Sequence, residues 1–334
     1  MRPPTDSNAG SLATAHRISG RPCASASPSI VRAERAPGAN AHQDGVLIVG
    51  AEGMIGRSLS DLLEKTGHVV WRTSRRPGCT GNRRLVLDLA GEPAQWELPA
   101  APISKAVLCA AETSVDRCRR KSSLSAQVNV QGTVALAGML VERGAFVAFP
   151  SSNLVFDGAR PHRREDETVC PCTEYGRQKA RAERELSKLG EAVAVVRFTK
   201  VLHPHILLLR GWIDALVAGQ TIHPFSDMVM APVTHVFAAE VLRRVLEDRC
   251  SGILHVSAAC DVSYAQVAQH LARHLRVDMG LVVPVSSRTA GLAPEAVPAH
   301  TALDTTRLRS VLGMEPPDVW EAIDAAFGLV EAPA

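Results

Sequence analysis

The sequence predicts an α/β fold, a doubly wound parallel sheet with a smaller C-terminal lobe. Three observations carry this. Short apolar runs alternate with amphipathic helical stretches as far as Phe198, a glycine-spaced loop joins the first strand to the first helix, and the texture changes after Arg197 to shorter, His- and Pro-containing segments. Strands of a parallel sheet are covered on both faces, so they read as continuous apolar runs rather than as alternations.

Residues 1–43 hold no aromatic residue and are rich in Ala, Ser, Pro and Arg, a composition that predicts a disordered tail. The leader is also Arg- and Ser-rich and poor in acids, as transit peptides are, but it lacks an amphipathic face and a plain tail is expected. The first strand is Val46-Leu47-Ile48-Val49, ending in Gly50; Ile55, Leu59, Leu62 and Leu63 then recur at helical spacing. Further strands are predicted over 68–72, 85–88, 103–109, 145–150 and 192–198, with helices near 121–143 and 173–189. Beyond them lie helices over 208–218, 238–246 and 264–274 and a late strand over 252–256 that can return to the main sheet. The predicted division is a dinucleotide-binding domain over 45–198 with a return segment 236–256, and a substrate lobe built from 199–235 and 257–330.

The chain has 334 residues, 46% hydrophobic and 21% charged, with a net charge of +3. These values predict a soluble globular protein with no nucleic-acid footprint and, lacking an apolar run of about 18 residues, no membrane span. Its eight cysteines are irregularly spaced with no CxxC pair, which predicts reduced thiols in a cytoplasmic protein rather than a disulfide frame or metal site. Cys170-Pro171-Cys172, a close pair, reads as loop.

The loop Gly50-Ala51-Glu52-Gly53-Met54-Ile55-Gly56 stands between strand and helix, where glycines permit a tight turn and the free N–H groups of the helix start favour a pyrophosphate. This makes the fold of Rossmann type, with Gly50, Gly53, Met54, Ile55 and Gly56 as cofactor-binding candidates. The end of the second strand normally carries an acidic residue when the cofactor is NAD. Here the chain reads Arg72-Thr73-Ser74-Arg75-Arg76, so NADP (NADPH) is preferred, with NAD the alternative and Arg75 and Arg76 the candidates for a 2′-phosphate. Asp88 and Leu89, after the third strand, are placed to border the adenine.

Tyr175 and Lys179 stand one helical turn apart, and Ser152 ends an apolar run upstream. The chain has two tyrosines, and its 37 basic residues are mostly arginine. A lysine at this position is chemically pointed, since a compact ammonium tunes a neighbour's ionisation where a guanidinium would seek a fork-like partner. Reducing a ketone requires a hydride, a proton delivered to oxygen and a donor that polarises the bond, and these side chains suit the latter two tasks.

Together the residues resemble the extended short-chain dehydrogenase/reductase family, and within it the dTDP-4-dehydrorhamnose reductase group of nucleotide-sugar reductases. The resemblance runs from about residue 45 to 328. It rests on Gly50xxGly53xxGly56, Cys109-Ala110-Ala111, Asn129-Val130-Gln131-Gly132-Thr133, Ser151 to Gly158, Tyr175xxxLys179 and the tail from Leu303 to Gly313. It implies that Tyr175 is the general acid, that Lys179 lowers the tyrosine's pKa and binds the nicotinamide ribose, and that Ser152 hydrogen-bonds the carbonyl oxygen. It also implies that Ala110 and Ala111 contact the cofactor. Asn129, Ser152, Asn153, Lys200 and Arg210 are candidates for substrate, with Trp212 or Phe225 able to stack on a base.

The group commonly carries Thr-Asp-Tyr where this chain has Ser152-Asn153-Leu154. Related dehydratases place an Asp-Glu pair after the hydroxyl residue; Asn153 and Leu154 can serve neither as acid nor as base, which disfavours elimination. The reading is an NADPH-dependent reductase of a keto sugar on a nucleoside diphosphate, possible as a homodimer. Its rivals are an epimerase that keeps NAD bound and a non-catalytic NAD(P)-binding regulatory protein on the same fold.

Overall fold

A computed structural model describes residues 45–329 apart from 77, 79, 80, 205, 294 and 296; the N-terminal tail, Cys79 and His205 lie outside the described residues. The main sheet has seven parallel strands in the order β10-β6-β5-β4-β1-β2-β3. They are β1 Gly45–Val49, β2 Val70–Ser74, β3 Arg84–Val86, β4 Ile103–Leu108, β5 Phe146–Ser152, β6 Val193–Phe198 and β10 Gly252–Val256. The strand order reverses between β1 and β4. In an open α/β sheet, ligands bind in the crevice at the carboxyl ends beside such a reversal.

Alternate residues of each strand serve opposite faces. Val46 and Ile48 point to the layer of α1 (Met54–Lys65) and α7 (His235–Glu247), where Leu59, Leu63, Leu242 and Val245 are buried. Leu47 and Val49 meet α4 (Thr133–Glu142) and α5 (Glu174–Leu186) through Leu136, Leu140, Ala182 and Leu186.

Two boundaries differ from expectation in ways that matter for the site. β2 starts at Val70 and ends at Ser74, so Arg72 lies inside the strand rather than at its end. The helix expected over 121–143 is α3 (Ser122–Ala126), a π-helical turn (Gln127–Gly132) and α4, preceded by α2 (Val115–Arg120). Contrary to the sequence expectation, the run Ser122–Glu142 is 21 residues long and apolar enough by composition to cross a membrane. Its hydrophobicity has a local cause: Leu136, Ala137 and Leu140 are buried against the sheet.

The second lobe packs α6 (Leu207–Val217), α8 (Tyr264–Leu275) and α10 (Val319–Phe327) around Leu209, Trp212, Leu271 and Ile323. Two short ladders complete it: β8 (Val229–Met230) with β11 (Val262–Ser263), and β7 (Val201–Leu202) with β9 (Val233–Thr234). The segment 257–330 does not stay in this lobe throughout. Leu308 and Leu312 of α9 (Thr306–Leu312) are buried in the core of the first domain.

Candidate active site

β5 delivers Ser152 to the rim of the sheet. The chain then tightens into a 3-10 turn, Asn153–Val155, whose Leu154 N–H donates to the Ser152 hydroxyl oxygen at 3.2 Å. α5 starts opposite, its first turn capped by the Thr173 hydroxyl oxygen, which accepts from Gly176 N–H at 3.0 Å. A side chain at Gly176 would put its Cβ 2.0 Å from the Leu154 carbonyl oxygen. The helix therefore docks on the 3-10 turn at a distance open to glycine alone, and Tyr175 is drawn toward Ser152.

Tyr175 and Lys179 are 8% and 3% exposed. The Lys179 ammonium donates to the Pro150 carbonyl at 2.8 Å and sits 4.2 Å from the Phe149 ring centroid and 5.9 Å from that of Tyr175. Burial pushes the lysine down to about 8, opposed by the Glu183 carboxylate. Burial pushes the Tyr175 phenol up, so it holds its proton at neutral pH, as a general acid must.

A cavity of about 580 Å³ opens in front of these groups. Met54, Ile55, Ser152, Asn153, Leu154, Tyr175, Lys179 and Lys200 line it, as do Met228, Val229, Met230, Tyr264, Pro298 and Thr301. Among the described residues no carboxylate lines it, so the charges there are the two ammoniums. Lys200 is exposed and makes no ion pair or side-chain hydrogen bond among the described residues; the surrounding protein lowers its pKa.

A second cavity of about 490 Å³ shares Gly53, Cys109 and Ala111 with the first and continues past Gly50, Thr73, Ser74, Arg75, Asp88, Leu89 and Ala110. Gly50 has a φ of +81°, and a Cβ there would lie 2.7 Å from Ala110 N. Its N–H donates to the Thr73 hydroxyl oxygen at 3.1 Å, which fixes the loop. No acidic residue occupies the first turn of α1, so its N–H groups face the cavity without competition. The cradle fits a dinucleotide phosphate bridge.

Several candidates lie elsewhere. Arg72, inside β2, turns away from the cavity and pairs with Glu64 at 2.5 Å and Asp61 at 3.7 Å on α1. Arg76 is exposed, 3.7 Å from Glu52, and does not line the cavity. Asn129, expected at the substrate, is 1% exposed inside the π-helical turn. Its amide accepts from Glu112 N–H and donates to the Glu112 carbonyl and Gln178, splinting the loop after β4 to α5. Arg210 is exposed on α6, whose other face buries Leu209, Trp212 and Leu216. Trp212 is packed edge-on against Tyr264, and Phe225 packs in the core of the lobe; neither lines the cavity.

Sequence reasoning includes Thr73 among the hydroxyls near the cofactor but not as the anchor of the glycine loop, and it misses Tyr264, Pro298 and Thr301. Thr73 had a signal, a hydroxyl near the end of the second strand. Pro298 and Thr301 come from a distant loop and Tyr264 from the start of α8, and none of the three carries a local signal.

Residues 44–330 match the family described as RmlD substrate binding domain. A dTDP-4-keto-6-deoxy-D-glucose reductase from Streptomyces niveus is 28% identical over 292 residues, spanning 86% of this chain and 97% of the relative. Methionine adenosyltransferase 2 subunit beta from Xenopus tropicalis is 31% identical over 286 residues, spanning 79% and 81%. Among solved structures, a dTDP-4-dehydrorhamnose reductase from Bacillus anthracis in complex with NADP superposes with a TM-score of 0.75 at 21% identity, covering 87% of this chain and all of that one.

Proposed function

We propose, from the premise that the chain belongs to the RmlD substrate-binding-domain family of extended short-chain dehydrogenases/reductases, that it reduces a keto group on a nucleotide-linked sugar. The observation that carries the reading is the convergence of Ser152, Tyr175 and Lys179 on one cavity that is continuous with a dinucleotide cradle.

Gly50, Gly53, Gly56, Ala110 and Ala111 would hold the dinucleotide, with Asp88 and Leu89 beside the adenine and Lys179 at the nicotinamide ribose. The hydride is supplied by the reduced nicotinamide when it is bound. Tyr175 gives its proton to the carbonyl oxygen, and the Lys179 ammonium stabilises the phenolate left behind. The Ser152 hydroxyl donates to the same oxygen and polarises the bond. Met228, Met230 and Tyr264 offer an apolar wall, and Lys200 meets an anionic group of the substrate. With no carboxylate at Asn153 or Leu154, the site has no base for elimination.

NADPH is the proposed cofactor, since Arg75 lines the cavity beside Ser74 without a carboxylate partner among the described residues. The proposed setting is cytoplasmic, with a homodimer as a possible assembly. NADPH oxidation followed by absorbance with a panel of nucleotide-linked 4-keto sugars tests the reading. Stoichiometric consumption supports it, whereas tightly retained NAD without net turnover points to the epimerase.

The identity to methionine adenosyltransferase 2 subunit beta favours a second reading, an NAD(P)-binding regulatory subunit. That reading expects Tyr175→Phe to leave function intact.

A further inference from the structure

Behind the reacting residues lies a buried charged set that touches neither substrate nor cofactor in the scheme above. Glu183 stands one turn beyond Lys179 on α5 and is 5% exposed. Arg197, on β6 and 2% exposed, grips it with a fork: Nε donates to both carboxylate oxygens at 3.1 Å and Nη2 to Oε2 at 2.7 Å. The Ser151 hydroxyl donates to Oε1. On the far side, Arg197 Nη1 meets His255 Nε2 at 3.1 Å, and burial together with Arg197 holds that imidazole neutral.

Three successive residues of β5 are thus used in three ways. The Pro150 carbonyl accepts from the Lys179 ammonium, the Ser151 hydroxyl reaches Glu183, and the Ser152 hydroxyl, which accepts from Leu154 N–H and donates to Asn153 Oδ1 at 3.5 Å, lines the cavity. Lys179 and Glu183 share one helix face by their spacing, so the helix is stitched to the strand at two adjacent points. The turn after Ser152 meets the same arginine: the guanidiniums of Arg163 and Arg197 each lie 5.1 Å from the ring centroid of Phe156. A buried ion pair gains little stability over apolar packing of the same volume, so one beside the reacting groups calls for another role.

We propose that Glu183 is a positioning residue for the reduction: clamped by Arg197 and Ser151, it fixes the α5–β5 register that sets Tyr175 and Lys179 against Ser152, and it supplies the counter-charge beneath the Lys179 ammonium. This rests on the reading of the preceding subsection. The groups acting on Lys179 are Glu183 on its own helix, Cys109 just past β4 and Cys118 on α2, and the Tyr175 ring lies 5.9 Å away. Burial raises both thiols, Cys109 to about 12, and raises the phenol, so they are uncharged at neutral pH and Glu183 is the charged member. Arg197 and His255 stand beyond Glu183.

The test compares wild type with Glu183→Gln, Glu183→Asp and Ser151→Ala, reading kcat, KM and NADPH affinity across pH 5.5 to 9.5. Glu183→Gln should move the alkaline limb of kcat to lower pH by about one unit, the low end for loss of a nearby opposite charge. Glu183→Asp should restore the limb. Ser151→Ala, which keeps the charge, should lower kcat by about tenfold at an unmoved limb, the size expected for a small misplacement. A limb shared by Glu183→Gln and wild type, or a Ser151→Ala enzyme with unaltered kcat, overturns the proposal. The pH dependence of NADPH binding gives the same shift without turnover. If no keto sugar is reduced but that binding curve shifts as stated, the functional reading fails and the positioning role stands; an unshifted binding curve overturns the role.

Discussion

The ammonium of Lys179 faces the ring of Phe149 at 4.2 Å, so this cation rests on an aromatic surface inside the protein. That contact and the Pro150 carbonyl are its enclosure, and both come from β5. Burial nevertheless takes its pKa from 10.5 to about 8. Keeping this cation buried costs the fold stability at neutral pH, which an activity measurement and a melting curve read in opposite directions.

For a lysine, a depressed folded-state pKa means that between about 8 and 10.5 the unfolded chain binds a proton the folded chain has released. Stability from this group is therefore lowest below pH 8 and rises with pH through that window. The fall from 10.5 to about 8 corresponds to about 3 kcal/mol, less about 1 kcal/mol for the lost hydrogen bond to Pro150. Lys179→Met is thus expected to raise stability by about 2 kcal/mol at pH 7 and to lose activity. Urea titrations at pH 7 and pH 10 check it; the gain should shrink at pH 10.

Replacing the Tyr175 phenol by phenyl removes the proton donor without disturbing the cradle. Tyr175→Phe should lower kcat by about 10²- to 10⁴-fold, the range for a positioned general acid, with NADPH affinity within about twofold of wild type. Steady-state rates and fluorescence titration of NADPH decide it, and undiminished function would favour the regulatory reading.

Cofactor choice separates two arginines that are neighbours in sequence. Arg75 lines the cavity whereas Arg72 is tied to Glu64 and Asp61, so Arg75→Ala should cost about tenfold or more in NADPH affinity and little in NADH affinity. Arg72→Ala should leave the NADPH/NADH ratio within about twofold, since its partners lie on α1. Calorimetric titration with both cofactors measures the ratio.

Gly176→Ala would place a Cβ 2.0 Å from the Leu154 carbonyl oxygen, so α5 and the 3-10 turn must part. An ångström of displacement costs about 10²-fold in rate, and kcat should fall by that order while Gly50 and Gly56 still bind NADPH. Retention of full kcat would show that the docking distance is immaterial to catalysis.

The parts legible in the sequence are those whose physics is local. The glycine loop announces itself because Gly50 needs a positive φ at a strand end, and Tyr175 and Lys179 because a helix repeats after about four residues. Arg72 was misplaced because strand ends are soft: moving the end of β2 from Arg72 to Ser74 converts a terminal residue into one that faces α1. Asn129 carries no mark that its helix makes a π-helical turn and folds the amide inward, and Arg210 differs from a cavity residue only by the face of α6 it occupies. Glu183 and Arg197 look like ordinary surface charges until β6 and α5 are brought together.

The cavity divides its labour between two sources of backbone. Ser152, Tyr175 and Lys179 stand on β5 and α5, whereas Met228, Met230, Tyr264, Pro298 and Thr301, which also line it, come from later in the chain. Such an arrangement lets substitutions among the later residues reshape the cavity while β5 and α5 keep Ser152, Tyr175 and Lys179 in register.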